Sequence, residues 1–137
     1  VLIKYVVITL LLLVNNPLLA GTLLPVTVQT SQYNISTSPT DPPIRLNQIQ
    51  SWIIAINDPS GQPVQGLQFS VDGGMPAHKH GLPTQPRLTE ETEPGKYIID
   101  GVKFNMYGKW QIELTGINES DQFHQIIKID IDHVNSN

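Results

Sequence analysis

The sequence predicts an all-β fold, an immunoglobulin-like antiparallel sandwich of about seven strands. Three observations carry this. Apolar residues beyond the first twenty positions recur with period two, which is the side-chain period of a strand. The alternating runs are separated by Gly, Pro, Asp and Ser clusters, the residues of turns. No segment after residue 20 repeats its apolar residues at helical spacing.

Along the chain, Val1–Ala20 reads as a secretory signal: Lys4, an apolar run from Tyr5 to Val14, then Asn15-Asn16-Pro17, then Leu18-Leu19-Ala20 before Gly21. A basic start, an apolar centre, a helix-breaking stretch and a small residue at the cut are its parts. An uncleaved anchor is the rival, but a span takes about 20 apolar residues and this run is interrupted by Asn15. The expected location is therefore periplasmic or otherwise exported. Residues 21–45, rich in Thr, Ser and Pro, read as a flexible leader with one short strand, Tyr33–Ser36, ahead of a domain at residues 46–133.

Within that domain, Leu46–Asn57 is the first strong strand, with Trp52, Ile54 and Ile56 on one face, and Asp58-Pro59-Ser60-Gly61 is a turn. Gly66–Asp72 sets Leu67, Phe69 and Val71 inward against Gln68, Ser70 and Asp72. A Gly/Pro-rich segment, residues 73–86, interrupts the pattern; Arg87–Thr89 is a short edge strand, and Glu90, Glu91 and Glu93 form a solvated acidic loop. Lys96–Phe104 and Lys109–Thr115 are strands, the second turning Trp110, Ile112 and Leu114 one way. Gln122–Asp132 closes the domain with Phe123, Ile127, Ile129 and Ile131 on one face.

Composition removes several functions. The chain carries a net charge of −4 and has no basic face, so nucleic acid and anionic membranes are poor partners. With Cys 0 there is no disulfide, no lipid attachment at cysteine, no thiolate nucleophile and no blue-copper centre. No nucleophile-elbow serine and no glycine-rich phosphate loop after a strand is present, no small-molecule substrate is evident, and the chain is read as not an enzyme.

The chemistry concentrates in Met75-Pro76-Ala77-His78-Lys79-His80-Gly81-Leu82-Pro83-Thr84, which holds two of the 4 histidines and one of the 2 methionines. If the stretch is extended, residues 78 and 80 face the same side and both imidazoles reach one ion. Met106, in Phe104-Asn105-Met106-Tyr107-Gly108, is the other thioether. Imidazole with thioether is a soft donor set suited to Cu(I); the histidines alone also accept Cu(II) or Zn(II). Met75, His78, His80 and Met106 are thus the candidate ligands, provided the loop folds back beside the 104–108 turn. Against this stand plainer readings: a solvated His-x-His pair, and Met106 as a gap-filling core residue. His124 falls on the polar side of the last strand, and His133 lies near the tail as an exposed ligand by chance.

The stretch from Gly74 to Pro86, followed by Gly95-Lys96-Tyr97 and by Gly101-Val102-Lys103-Phe104-Asn105-Met106-Tyr107-Gly108-Lys109-Trp110, resembles the YtkA-like family over roughly residues 45–132. That family comprises small exported β-sandwich domains described alongside FixH-like and copper-handling periplasmic proteins. The resemblance implies the sandwich fold and a metal role for Met75, His78, His80 and Met106. Two functions follow as expectations. One is a periplasmic copper chaperone or buffer serving a copper-acceptor protein. The other is a metal-free interaction or assembly module of a membrane complex, with the proline-bounded loop as a rigid recognition element.

Overall fold

A computed structural model describes residues 26–30, 32–118 and 121–133; the signal-peptide reading lies outside these residues. Among these described residues there are nine antiparallel strands: β1 (Val26–Gln29), β2 (Asn34–Pro39), β3 (Gln50–Asn57), β4 (Gln68–Met75), β5 (His80–Gly81), β6 (Arg87–Glu93), β7 (Lys96–Val102), β8 (Gly108–Asn118) and β9 (Asp121–Ile131). Their order is β1-β2-β3-β7-β6-β4-β8-β9, with β5 added to β4. The joint between β6 and β4 is a single pair, Ser70 with Arg87, and β1 comes back beside β9. The result is a sandwich of two sheets bordering on a barrel. The strands beyond the seven expected are β1 and the two-residue β5.

The alternation expected of the strong strands is present. Trp52, Ile54 and Ile56 of β3, Phe69 and Val71 of β4, Trp110, Ile112 and Leu114 of β8 and Phe123, Ile127, Ile129 and Ile131 of β9 are all buried. They interleave as the two inner faces of one core.

The short strand expected at Tyr33–Ser36 is present as β2, which runs on to Pro39, and what reads as a leader around it is built into the sheet. β2 pairs with β3 along its whole length, and Ile35 and Ile44 lie in the core. Thr37 is buried too, its hydroxyl donating to the Ile53 carbonyl at 2.9 Å. Ser and Thr suggested a linker by composition, but β-branched Thr suits a strand, and Thr37 shares the buried face of Ile35. The acidic loop is corrected as well. Glu90, Glu91 and Glu93 are exposed positions of β6, and Glu91 accepts from the Gly66 and Gly95 backbone N–H groups at 2.9 and 2.8 Å.

Tyr97 pins the crossing from β3 to β4. Its hydroxyl donates to the Val64 carbonyl at 2.6 Å and accepts from the Leu67 N–H at 3.2 Å, beneath a ring that meets Phe69 edge-on. Tyr97→Phe would strand both backbone groups, and it is expected to cost about 1–3 kcal/mol in chemical denaturation. Burial raises the Tyr97 pKa above its ordinary 10.0, with Glu91 adding to the shift. The folded state therefore holds this proton more tightly than the unfolded one. Its contribution is present below that ordinary pKa and is lost as pH rises past it.

Candidate metal centre

The Met/His segment is a hairpin, and not the extended stretch expected from sequence. β4 runs on through Gly74 to Met75, Pro76–His78 makes one 3-10 turn, and Lys79 takes the left-handed conformation at φ 55° and ψ 38°. Its N–H returns to the Pro76 carbonyl at 3.2 Å. Proline fits the first position of such a turn because its missing N–H is not needed there. The chain then reverses into β5, pairing Met75 with His80 and Gly74 with Gly81. Close approach of the two backbones demands glycine: a Cβ on Gly74 would collide with the His80 carbonyl and the Gly81 Cα.

Reversal, and not strand alternation, brings the histidines together. Their ring centres lie 5.9 Å apart and are tilted by 49°. An ion bound to two imidazoles sits about 3 Å from each ring centre, given a metal–nitrogen bond of about 2 Å, so such rings lie about 5–6 Å apart. The observed spacing falls in that range. Met75 stands directly opposite His80 in the ladder, and cross-strand partners share a face. Since Met75 continues the inward parity of Phe69 and Val71, that face is the inner one.

His80 is the residue with an electronic asymmetry. Its Nδ1 lies 3.0 Å from the Gly81 carbonyl oxygen. A carbonyl only accepts, so the contact is a hydrogen bond in the tautomer with the proton on Nδ1, and in that neutral tautomer Nε2 is the ring's free acceptor. That Nε2 is buried and has no hydrogen-bond partner. The ring packs edge-on against Trp110 at 5.5 Å, and Trp110 in turn donates from Nε1 to the Met106 carbonyl at 3.0 Å. Leaving such an acceptor unsatisfied costs about 1–3 kcal/mol. A donated Nδ1–H with a free Nε2 is the arrangement of a metal-ligating imidazole. An open cleft of about 290 Å³ runs along the hairpin past Met75, Lys79 and His80.

The four expected ligands divide into two levels. Met75 is 1% exposed and belongs to the core, whereas Met106 is 36% exposed. The gap-filling methionine is therefore Met75, the opposite of the plainer reading of Met106. The required fold-back is present: a Cβ on Gly108 would lie 2.6 Å from the Met75 terminal methyl. His78 is exposed at the hairpin tip. His124 stays at the surface, paired with Glu113 at 2.6 Å. Among the described residues no group of three or more His, Asp and Glu side chains could hold a metal ion.

Sequence reasoning placed Trp110 in the core and Gly108 in a turn but missed their part in this centre. Trp110 walls His80, and Gly108 leaves the space that the Met75 methyl occupies. The spacing Met-x-Gly-x-Trp carries that signal only once the turn is known to face the hairpin.

The family model for YtkA-like proteins matches residues 27–115, more than half of the chain. The chain belongs to the YtkA-like family. The match begins well before residue 45, consistent with β2 being built into this YtkA-like fold, and it covers the hairpin and the 104–108 turn. The ZirS C-terminal domain is a solved structure similar to this YtkA-like chain at 16% identity, with a TM-score of 0.42, over 94% of this chain and 86% of that one. Comparison with curated proteins gave no match.

Proposed function

We propose that this YtkA-like protein is an exported copper-handling protein, a chaperone or buffer, that holds Cu(I) on Met75, His78 and His80 with Met106 as a further donor. The observation that carries the reading is the buried, partnerless His80 Nε2, whose opposite nitrogen is fixed on the Gly81 carbonyl. Thioether and neutral imidazole favour a soft monovalent ion. Lys79 between the two histidines adds a positive charge at the tip, which weighs against a divalent ion. The inner pair, Met75 and His80, would retain the ion, and exposed His78 would be the first to exchange it with an acceptor protein.

The test is a competition titration of the exported form, residues 21–137, with Cu(I) against a chromophoric chelator, beside a His78→Ala/His80→Ala variant. One-to-one binding that the variant loses is the expected result. If the intact protein takes no copper from the chelator while both forms give the same circular dichroism, the copper reading falls. The second reading, a metal-free interaction module, then leads. It draws on the exposed Ile49, Met106 and Tyr107, which belong to neighbouring loops because the Asn47 N–H donates to the Phe104 carbonyl at 2.8 Å.

A further inference from the structure

Three aromatic side chains lead through the core to His80. Trp52 meets Phe104 edge-on with ring centres 5.7 Å apart, Phe104 meets Trp110 at 5.2 Å, and Trp110 meets the His80 ring at 5.5 Å. Trp110 is the member that touches the imidazole. It is fully buried, it is backed by buried Phe104, and its Nε1–H is committed to the Met106 carbonyl at 3.0 Å. The indole is therefore fixed in place and has no donor left, since Nε1–H is the only one it owns. The His80 ring is half-buried, yet its Nε2 is shut away from solvent and has no partner. A large immobile apolar ring thus stands against the one imidazole of the hairpin whose free nitrogen is kept dry.

We infer that Trp110 determines which ions the centre accepts: it keeps water from an ion held on His80, and so admits Cu(I) and turns away Zn(II) and Cu(II). Zn(II) takes four ligands drawn from imidazole, thiolate, carboxylate and water, and Cu(II) takes a tetragonal set of nitrogen and oxygen donors. Of the four candidate ligands only His78 and His80 are donors of that kind, so a divalent ion must complete its shell with water. The apolar shell around a site controls whether solvent reaches the metal, and here that shell is the indole. Its Nε1–H, spent on the Met106 carbonyl, offers no hydrogen bond to a metal-bound water either. Cu(I) is satisfied by two or three soft donors and loses nothing in a dry site. Trp110 makes no bond to the ion; it sets specificity by exclusion. The inference rests on the copper reading for the ion at His80 and adds to it the residue that sets ion choice.

Competition titrations with Cu(I), Zn(II) and Cu(II) test this on the intact protein, Trp110→Phe and Trp110→Leu, with folding checked by circular dichroism. The intact protein is expected to prefer Cu(I). A folded variant is expected to gain Zn(II) and Cu(II) affinity by about tenfold or more while its Cu(I) affinity stays within about threefold. Unchanged Zn(II) and Cu(II) affinity in a folded variant overturns the role of Trp110 and leaves the copper reading standing. An intact protein that binds no Cu(I) removes the copper reading and this inference together, which is a different result. A second measurement serves where the smaller side chains prevent folding. Trp52→Phe makes Trp110 the sole tryptophan of the 2 in the chain and removes the Trp52 Nε1–H, a buried donor with no partner. In that variant Cu(I) is expected to quench the Trp110 emission several-fold. Emission unmoved by bound Cu(I) means that the ion does not lie against the indole, and it overturns the inference.

Discussion

His80→Phe is expected to leave the stability of the metal-free protein within about 1 kcal/mol of its present value while lowering Cu(I) affinity at least about a hundredfold. The two halves come from the same ring. Phenylalanine keeps a flat apolar surface against Trp110 and removes the unsatisfied Nε2, which relieves a penalty of about 1–3 kcal/mol. It also loses the Nδ1 hydrogen bond to Gly81, about 1 kcal/mol, and adds bulk beside a buried Met75. These terms largely offset. Binding has no such offset, because loss of a ligand exceeds the 10–100-fold typical of losing a ligand's supporting partner. Thermal unfolding with and without Cu(I) measures both. Ligand at a hundred times Kd stabilises a folded protein by about 2.7 kcal/mol, an increment expected for the intact protein and absent from the variant. A variant that still gains it would mean that His80 is a packing residue.

Gly108→Ala is expected to cost about 2–4 kcal/mol in chemical denaturation. Gly108 has φ 129°, where a side chain is strained, and its Cβ would lie 2.6 Å from the Met75 methyl. Strain of this kind costs about 1–3 kcal/mol, and the collision adds to it because Met75 is 1% exposed and walled by core residues. The two parts separate in a double-mutant cycle with Met75→Ala, which removes the methyl. The cycle is expected to return about 1 kcal/mol of favourable coupling, the backbone part persisting. Additive costs would mean that the methyl moves aside freely.

Much of the fold was legible because its signal is local. Trp52, Ile54 and Ile56, or Trp110, Ile112 and Leu114, declare a buried face within five residues of chain, and the structure keeps each face intact. This edge was legible only in part. Tyr33–Ser36 reads as a short strand and overlaps β2, but Val26–Gln29, which joins the sheet through backbone pairing to β2, and the run of β2 on to Pro39 look in composition like a linker. β6 was read short because bulges at Leu88/Glu90 and Glu91/Glu93 break the period-two pattern there.

The candidate centre was legible in its donors but not in its geometry. His78 and His80 stand out by spacing, yet the reason they meet is the left-handed Lys79, a residue type with no preference for that conformation. Which methionine is buried depends on partners distant in sequence: Met75 fills the space that Gly108 leaves, while Met106 stands exposed in the turn before β8. The free Nε2 of His80 depends on a carbonyl one residue away and on Trp110 thirty positions on, so no reading of the motif alone reveals it.

The most direct test of the account is X-ray absorption of the protein loaded with Cu(I) and desalted, beside Met75→Leu. The account predicts retained copper with two imidazole nitrogens and at least one sulfur in its first shell, and weaker sulfur scattering in the variant. Copper washed out by desalting, or a shell of nitrogen and oxygen alone that is identical in both proteins, would contradict it.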